Sequence, residues 1–305
     1  MAIYEAVAPA AVAAGEASGV EAGLYAGLRI FLRIGLIAAF GLALLKFRRG
    51  TTLRDAGLTR AGKSVGELVG IGIVLGGFTS FLIGAIFAVH SIVPLGEGLP
   101  AWETFRNSTL NTAFYVDMLA TSIIIPPLTE EIMARGYFRL RMVESYGPMG
   151  GVIMAGLIFA LSHTKFISTD PLLALFLAAL IVGSIAWTYM VHKTGSLIPS
   201  MVAHAMTNII ATVILFGVWL PFAAVTALVA WQHRPILNTL RQFAADWRAD
   251  RQKSGLVFGI VALVAIAAAI MLAMSQFDRT MVLAAIGGIS LAITVVNIVR
   301  EKRRP

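Results

Sequence analysis

Apolar residues fill this chain in long runs, and the charges collect in the short stretches between them. About 20 consecutive apolar residues cross the hydrocarbon core of a bilayer as a helix. The runs predict spans near 24–45, 66–89, 113–133, 149–163, 171–191, 197–216, 218–231, 255–275 and 281–299. The stretch from Ser196 to Trp231 carries no charge except one available to His204. It divides at Gly217 and Pro221, because proline ends helices. The expected fold is all-α: a polytopic bundle of about eight or nine transmembrane helices enclosing a polar cavity. In residues 232–254, Leu237, Leu240, Phe243 and Trp247 recur near helical spacing, as in an interfacial amphipathic helix. A solvated basic linker fits that segment equally well.

Composition agrees with the pattern. The chain is 58% hydrophobic and 13% charged, against about 25% charged in soluble domains. It has no cysteine, which excludes disulfides, thiolate metal sites and cysteine nucleophiles. The net charge of +8 sits between apolar runs, so it reads as cytoplasmic loops rather than as a nucleic-acid surface. One loop holds Lys46, Arg48, Arg49, Arg54, Arg60 and Lys63; others hold Arg139 with Arg141, and His192 with Lys193. Arg234, Arg241, Arg248, Arg251 and Lys253 line a late loop, and Arg300, Lys302, Arg303 and Arg304 close the chain. Nine spans put all of these on one side and Glu97, Glu103 and Asp278 on the other. The expected topology has the N-terminus outside and the C-terminus in the cytoplasm. The Ala-rich start, with Glu5, Glu16 and Glu21, lacks the basic residues of a signal peptide. The Ala/Gly-rich, cysteine-free composition suggests a prokaryotic plasma membrane.

Against this background a few ionisable residues stand out, because charge at membrane depth is costly and marks a functional candidate. Glu130 and Glu131 are adjacent, and Arg135 follows Glu131 by four residues, on the same helix face. That arginine neutralises Glu131 and leaves Glu130, about a third of a turn away, free to accept a proton. Phe159 and His163 are one turn apart, as are His204 and Asn208. Histidine serves as base or donor and asparagine as an amide donor. Two donors on one stripe suit an oxyanion. Each signal also has a bland reading: acids at a wet helix end, a packed histidine, an interhelical hydrogen-bond pair.

The order Glu-Glu-x-x-x-Arg, Phe-x-x-x-His, His-x-x-x-Asn resembles the CAAX-protease and bacteriocin-processing family. This abortive-infection-like group of intramembrane glutamate proteases includes the type II CAAX prenyl endopeptidases. The run Thr194-Gly195-Ser196-Leu197-Ile198-Pro199 before His204 is also similar to the family pattern. The resemblance covers roughly residues 113–216. It implies an intramembrane endopeptidase in which Glu130 and His163 activate water and His204 with Asn208 form the oxyanion site. Glu131 and Arg135, with Phe159, would hold the helices. It implies no metal or other cofactor, and a peptide or lipidated protein as substrate, met from the lipid bilayer. The chain then divides into an N-terminal segment with two spans (1–112), a catalytic membrane core (113–216), and C-terminal spans with a basic loop and tail (217–305).

Other chemistries are weighed against this one. Glu130, His163 and His204 would supply a His₂Glu zinc site, although no His-Glu-x-x-His helix is present. Gly62-Lys63-Ser64-Val65-Gly66 matches a nucleophile-elbow string but lacks a preceding strand. Asp117 has no partner aspartate. A non-catalytic membrane scaffold or immunity protein would keep the motifs for packing, and a transporter would use the acids and histidines as a proton relay. Counting residues along straight spans puts His204 about 10 Å inside the cytoplasmic edge and His163 nearer the far edge. The segment from Ser162 to Asp170 is therefore expected to dip into the membrane and line a cavity.

Overall fold

The computed structural model describes residues 52–95, 123–163, 166–167, 170–215 and 219–250, with the isolated position 43. The spans expected at 24–45, 255–275 and 281–299 lie outside these residues, as does Asp117. Every regular element among the described residues is helical. Helix α1 is Val65–Ile92 and α2 is Ile125–Glu131, which continues into a π-helical turn, Ile132–Phe138. Then come α3 (Arg139–Leu161), α4 (Pro171–Thr194), α5 (Ile198–Leu215), α6 (Leu220–Trp231) and α7 (His233–Ala249). Val65–Ile92, Ile125–Leu161 and Pro171–Thr194 are long and apolar enough to cross a membrane; α6 and part of α5 are shorter apolar helices.

The stretch Ile125–Leu161 is a hairpin rather than one rod. Gly147 has φ 79° and ψ 174°, a backbone region open to glycine, and Pro148 cannot continue the helix before it. A Cβ placed on Gly151 would lie 2.2 Å from the Val143 nitrogen. In a straight helix eight residues separate by about 12 Å, so the chain reverses at Gly147. The span expected to end at 133 instead runs to the residue before this turn. Arg139 and Arg141, expected in a loop, are helical: Arg139 donates to the carbonyls of Arg135 (2.7 Å) and Asp55 (3.2 Å). The helix resists ending near 133 because the arginines are satisfied at its flank.

Packing sets the level of each helix. Cβ atoms on Gly72 and Gly76 would meet the carbonyls of Pro199 at 2.7 Å and Ala203 at 2.9 Å. Small residues four apart let α5 lie backbone to backbone on α1. Thr79 meets Gly183, and Trp187 Nε1 donates to the Thr79 hydroxyl at 3.0 Å; Ile83 packs with Phe176. So α4 runs antiparallel to α1. Asp170 caps α4 by accepting from Leu173 N at 3.1 Å, with Pro171 in the first turn, a favourable start for a helix.

The basic loops meet at one end of the bundle. Leu197 N donates to Gly57 O at 2.9 Å, Arg139 reaches Asp55, and Lys193 pairs with Asp246 at 3.2 Å. Beyond Leu161 the backbone leaves the helix, and Phe166 is buried against Ile83, Leu173 and Phe176. Phe166 thereby lies beside the first turns of α4, while Ser162 is exposed.

Candidate active site

The site forms where the hairpin, α4 and α5 meet. Glu131 and Arg135 are both fully buried, with Arg135 Nη1 2.8 Å from Glu131 Oε1. Helical spacing of four residues brings these groups together on one face, and the widened π turn between them is a feature frequent at functional sites. Two buried charges need further partners to offset lost hydration. Arg135 has them on α4: its Nη2 donates to Ser184 Oγ at 2.6 Å and its Nε to Thr188 Oγ1 at 3.3 Å. Its guanidinium carbon also stacks 3.9 Å from the Phe159 ring centroid, a desolvated cation–π contact. Phe159 and Arg135 are each twelve residues from Gly147, which is why the hairpin brings them to one height.

His204 completes the cluster from α5. Its Nδ1 is 2.9 Å from Glu131 Oε1, and its Nε2 is 4.0 Å from Glu130 Oε2. The imidazole lies between the two adjacent carboxylates. Trp187 stacks on it at 5.4 Å and Phe159 meets it edge-on at 5.7 Å. A carboxylate that holds a guanidinium is an acceptor only, so His204 donates to it from Nδ1. Nε2 is then free to accept, or to donate after a second protonation. Glu130 differs from its neighbour: a quarter of its side chain is exposed, whereas Glu131 has none.

Of the residues singled out in the sequence, Glu130, Glu131, Arg135, Phe159 and His204 are in mutual contact or near it. His163 joins through Phe159: their rings are 5.0 Å apart, and His163 Nδ1 is 3.0 Å from Phe159 O. Asn208 stands on α5 one turn beyond His204 and is half-buried. Ser184, Thr188, Trp187 and Thr79 were not anticipated. The only signal for them was a Ser–Thr pair at helical spacing within an apolar run. Among the described residues no three His, Cys, Asp or Glu side chains gather as a metal site. Ser64, in the elbow-like string, caps α1 by accepting from Glu67 N at 3.1 Å.

A chain with this arrangement of apolar helices and loops is an integral membrane protein. No curated protein and no solved structure matches it. Residues 112–210, which carry all three motifs, match the family model of the type II CAAX prenyl endopeptidases, Rce1-like. Over this stretch, about a third of its length, the chain is similar to the Rce1-like type II CAAX prenyl endopeptidases.

Proposed function

We propose that the protein is an intramembrane endopeptidase in which Glu130 is the general base. The observation that carries this reading is the division between neighbouring carboxylates. Glu131 is committed to Arg135 and His204 in a fully buried network, while Glu130 is partly exposed 4.0 Å from His204 Nε2. Glu130, helped by His163, takes a proton from water, and the hydroxide adds to the scissile carbonyl. The C–N bond of the tetrahedral intermediate then breaks as that proton passes to the leaving nitrogen. His204 and Asn208 hold the oxyanion. Because His204 Nδ1 already donates to Glu131, its Nε2 stabilises an oxyanion only when the ring carries two protons. Glu131 holds Nδ1 of that ring, so its task is to position His204 rather than to touch substrate.

The substrate is a peptide or lipidated protein reaching the cavity from the bilayer, with a bond near its C-terminus as the first candidate. The basic end of the bundle faces the cytoplasm by the positive-inside rule. The test is cleavage of a prenylated, quenched C-terminal peptide by purified protein in lipid nanodiscs. Glu130→Gln is expected to lower turnover by about 10²–10⁴, the usual contribution of a positioned base, with folding unchanged. Wild-type turnover by Glu130→Gln and by His204→Ala would overturn the mechanism. Turnover abolished by a chelator and restored by zinc would replace it with the metal reading.

A further inference from the structure

Helix α7 lies across the bundle rather than along it. Its first turns border Gly70, Ile71 and Val74 of α1 around a cavity of about 400 Å³ that also includes Met190 and Leu240. Its middle packs Phe243 and Trp247 on Tyr189 and Met149. Beyond its end, Asp250 accepts from Met149 N at 2.9 Å, next to the Gly147 turn. The helix therefore passes from α1 over α4 to the tip of the hairpin, near the end where the basic loops meet. This is the height of a membrane–water interface for spans that begin and end there.

Its sides are sorted for such a position. Ile236, Thr239, Phe243 and Trp247 form the inner, partly buried stripe, and none of the helix is fully buried. Arg234, Arg241 and Arg248 recur every seven residues, about two turns, and all three are exposed on the outer side. Among the described residues none of them forms an ion pair: Arg241 reaches Asn238 at 3.4 Å, and Arg248 donates to its own helix at Ala244 O. Leu237 and Leu240 are about half exposed along one flank, at 46% and 52%, and on the other flank lie Asn238 and Gln242. Leu240 borders the cavity with Phe78, from the middle of α1, so an interfacial placement of α7 would turn its leucine flank toward hydrocarbon and its amide flank toward water.

We propose that α7 is an interfacial helix whose Arg234–Arg241–Arg248 stripe binds the headgroups of anionic phospholipids. A row of guanidiniums at headgroup height, between an apolar and a polar flank, is complementary to phosphate-bearing lipid. Near an anionic leaflet each such residue contributes about fivefold in association. This interaction is separate from peptide cleavage and does not depend on it.

The test uses the full chain in nanodiscs made from equal amounts of phosphatidylcholine and phosphatidylglycerol, with the lipid retained after extraction counted by native mass spectrometry. Wild type is expected to retain phosphatidylglycerol at least threefold over the input ratio, falling toward that ratio in high salt. R234Q/R241Q/R248Q should retain the input ratio, and R234K/R241K/R248K should keep most of the enrichment. Equal enrichment by wild type and the glutamine variant would overturn the proposal, as would loss of enrichment in the lysine variant. Nitroxides at L237C and Q242C, clean probes because the chain has no cysteine, read the flanks directly. Oxygen should relax the first more strongly and a soluble nickel chelate the second; the reverse order, or no difference, also overturns it.

Discussion

Glu131 Oε1 receives both Arg135 Nη1 and His204 Nδ1, at 2.8 and 2.9 Å. One oxygen thus ties the hairpin to α5, and through Arg135 to Ser184 and Thr188 on α4. Removing one partner of a buried ion pair strands the other charge and costs about 3–5 kcal/mol. Arg135→Ala is therefore expected to lower unfolding free energy by about that amount, measured by denaturant titration in detergent. Glu130→Gln, at a partly exposed position whose nearest charged partner, His204 Nε2, is 4.0 Å away, should change stability by less than about 0.5 kcal/mol. The contrast between neighbouring residues separates a structural acid from one the fold does not depend on. If both variants lost stability equally, the division between the two carboxylates would be wrong.

At the scale of elements, the geometry of the proposed site rests on how closely α5 approaches α1. Gly76→Leu is expected to push the Ala203 backbone outward and move His204 with it. A displacement of about 1 Å at a catalytic group can cost about a hundredfold in rate. Turnover should fall accordingly while circular dichroism shows the same helix content. Gly147→Val, forced to φ 79° at the hairpin turn, should lose stability as well as rate, since a β-branched residue there is strained. The long apolar runs of α1 and α4 were legible because hydropathy reports them directly, and the motif residues because charge is conspicuous among apolar neighbours. The hairpin was only half legible. Gly147 and Pro148 announce a turn, but Arg139 and Arg141 read as loop residues; within the helix Arg139 finds the carbonyls of Arg135 and Asp55, and Arg141 the carboxylate of Glu144. Ser184 and Thr188 were not legible, because hydroxyls barely dent hydropathy and their partner lies about fifty residues away. The bond from His204 to Glu131 spans 73 positions, and no local pattern encodes it.

For the molecule as a whole, α7 is clasped to the bundle by polar contacts that respond to pH. Asp246 accepts from the Tyr189 hydroxyl at 2.7 Å and from Lys193 at 3.2 Å. These bonds, the first above all, and the Lys193 charge hold its carboxyl below the usual range. A carboxyl depressed in the folded state stabilises above its unfolded pKa of about 4, and that stability is lost as pH falls through the lower, folded value. Protection of the α7 amides from hydrogen exchange, corrected for the intrinsic pH dependence of the exchange chemistry, should therefore hold from pH 7 to about pH 5 and fall only below about pH 4. Asp246→Asn should exchange faster at neutral pH and lose that dependence. An acid-induced opening that persisted unchanged in Asp246→Asn would assign the effect elsewhere.

The hairpin also bears on how the chain enters a membrane. Glu131 and Arg135 are one turn apart, so the insertion machinery meets them as a single neutral unit as soon as that turn has formed. Phe159 lies in the other arm of the same hairpin and covers the arginine, so that shielding comes from a neighbour close in sequence. His204 arrives last and finds an acceptor already fixed in place. Separating the two charges in sequence, by exchanging Arg135 with Gly136 for instance, would expose each to lipid during biogenesis. The expected result is failure at insertion, seen as degraded or mis-oriented chain, rather than a finished protein with a poor site.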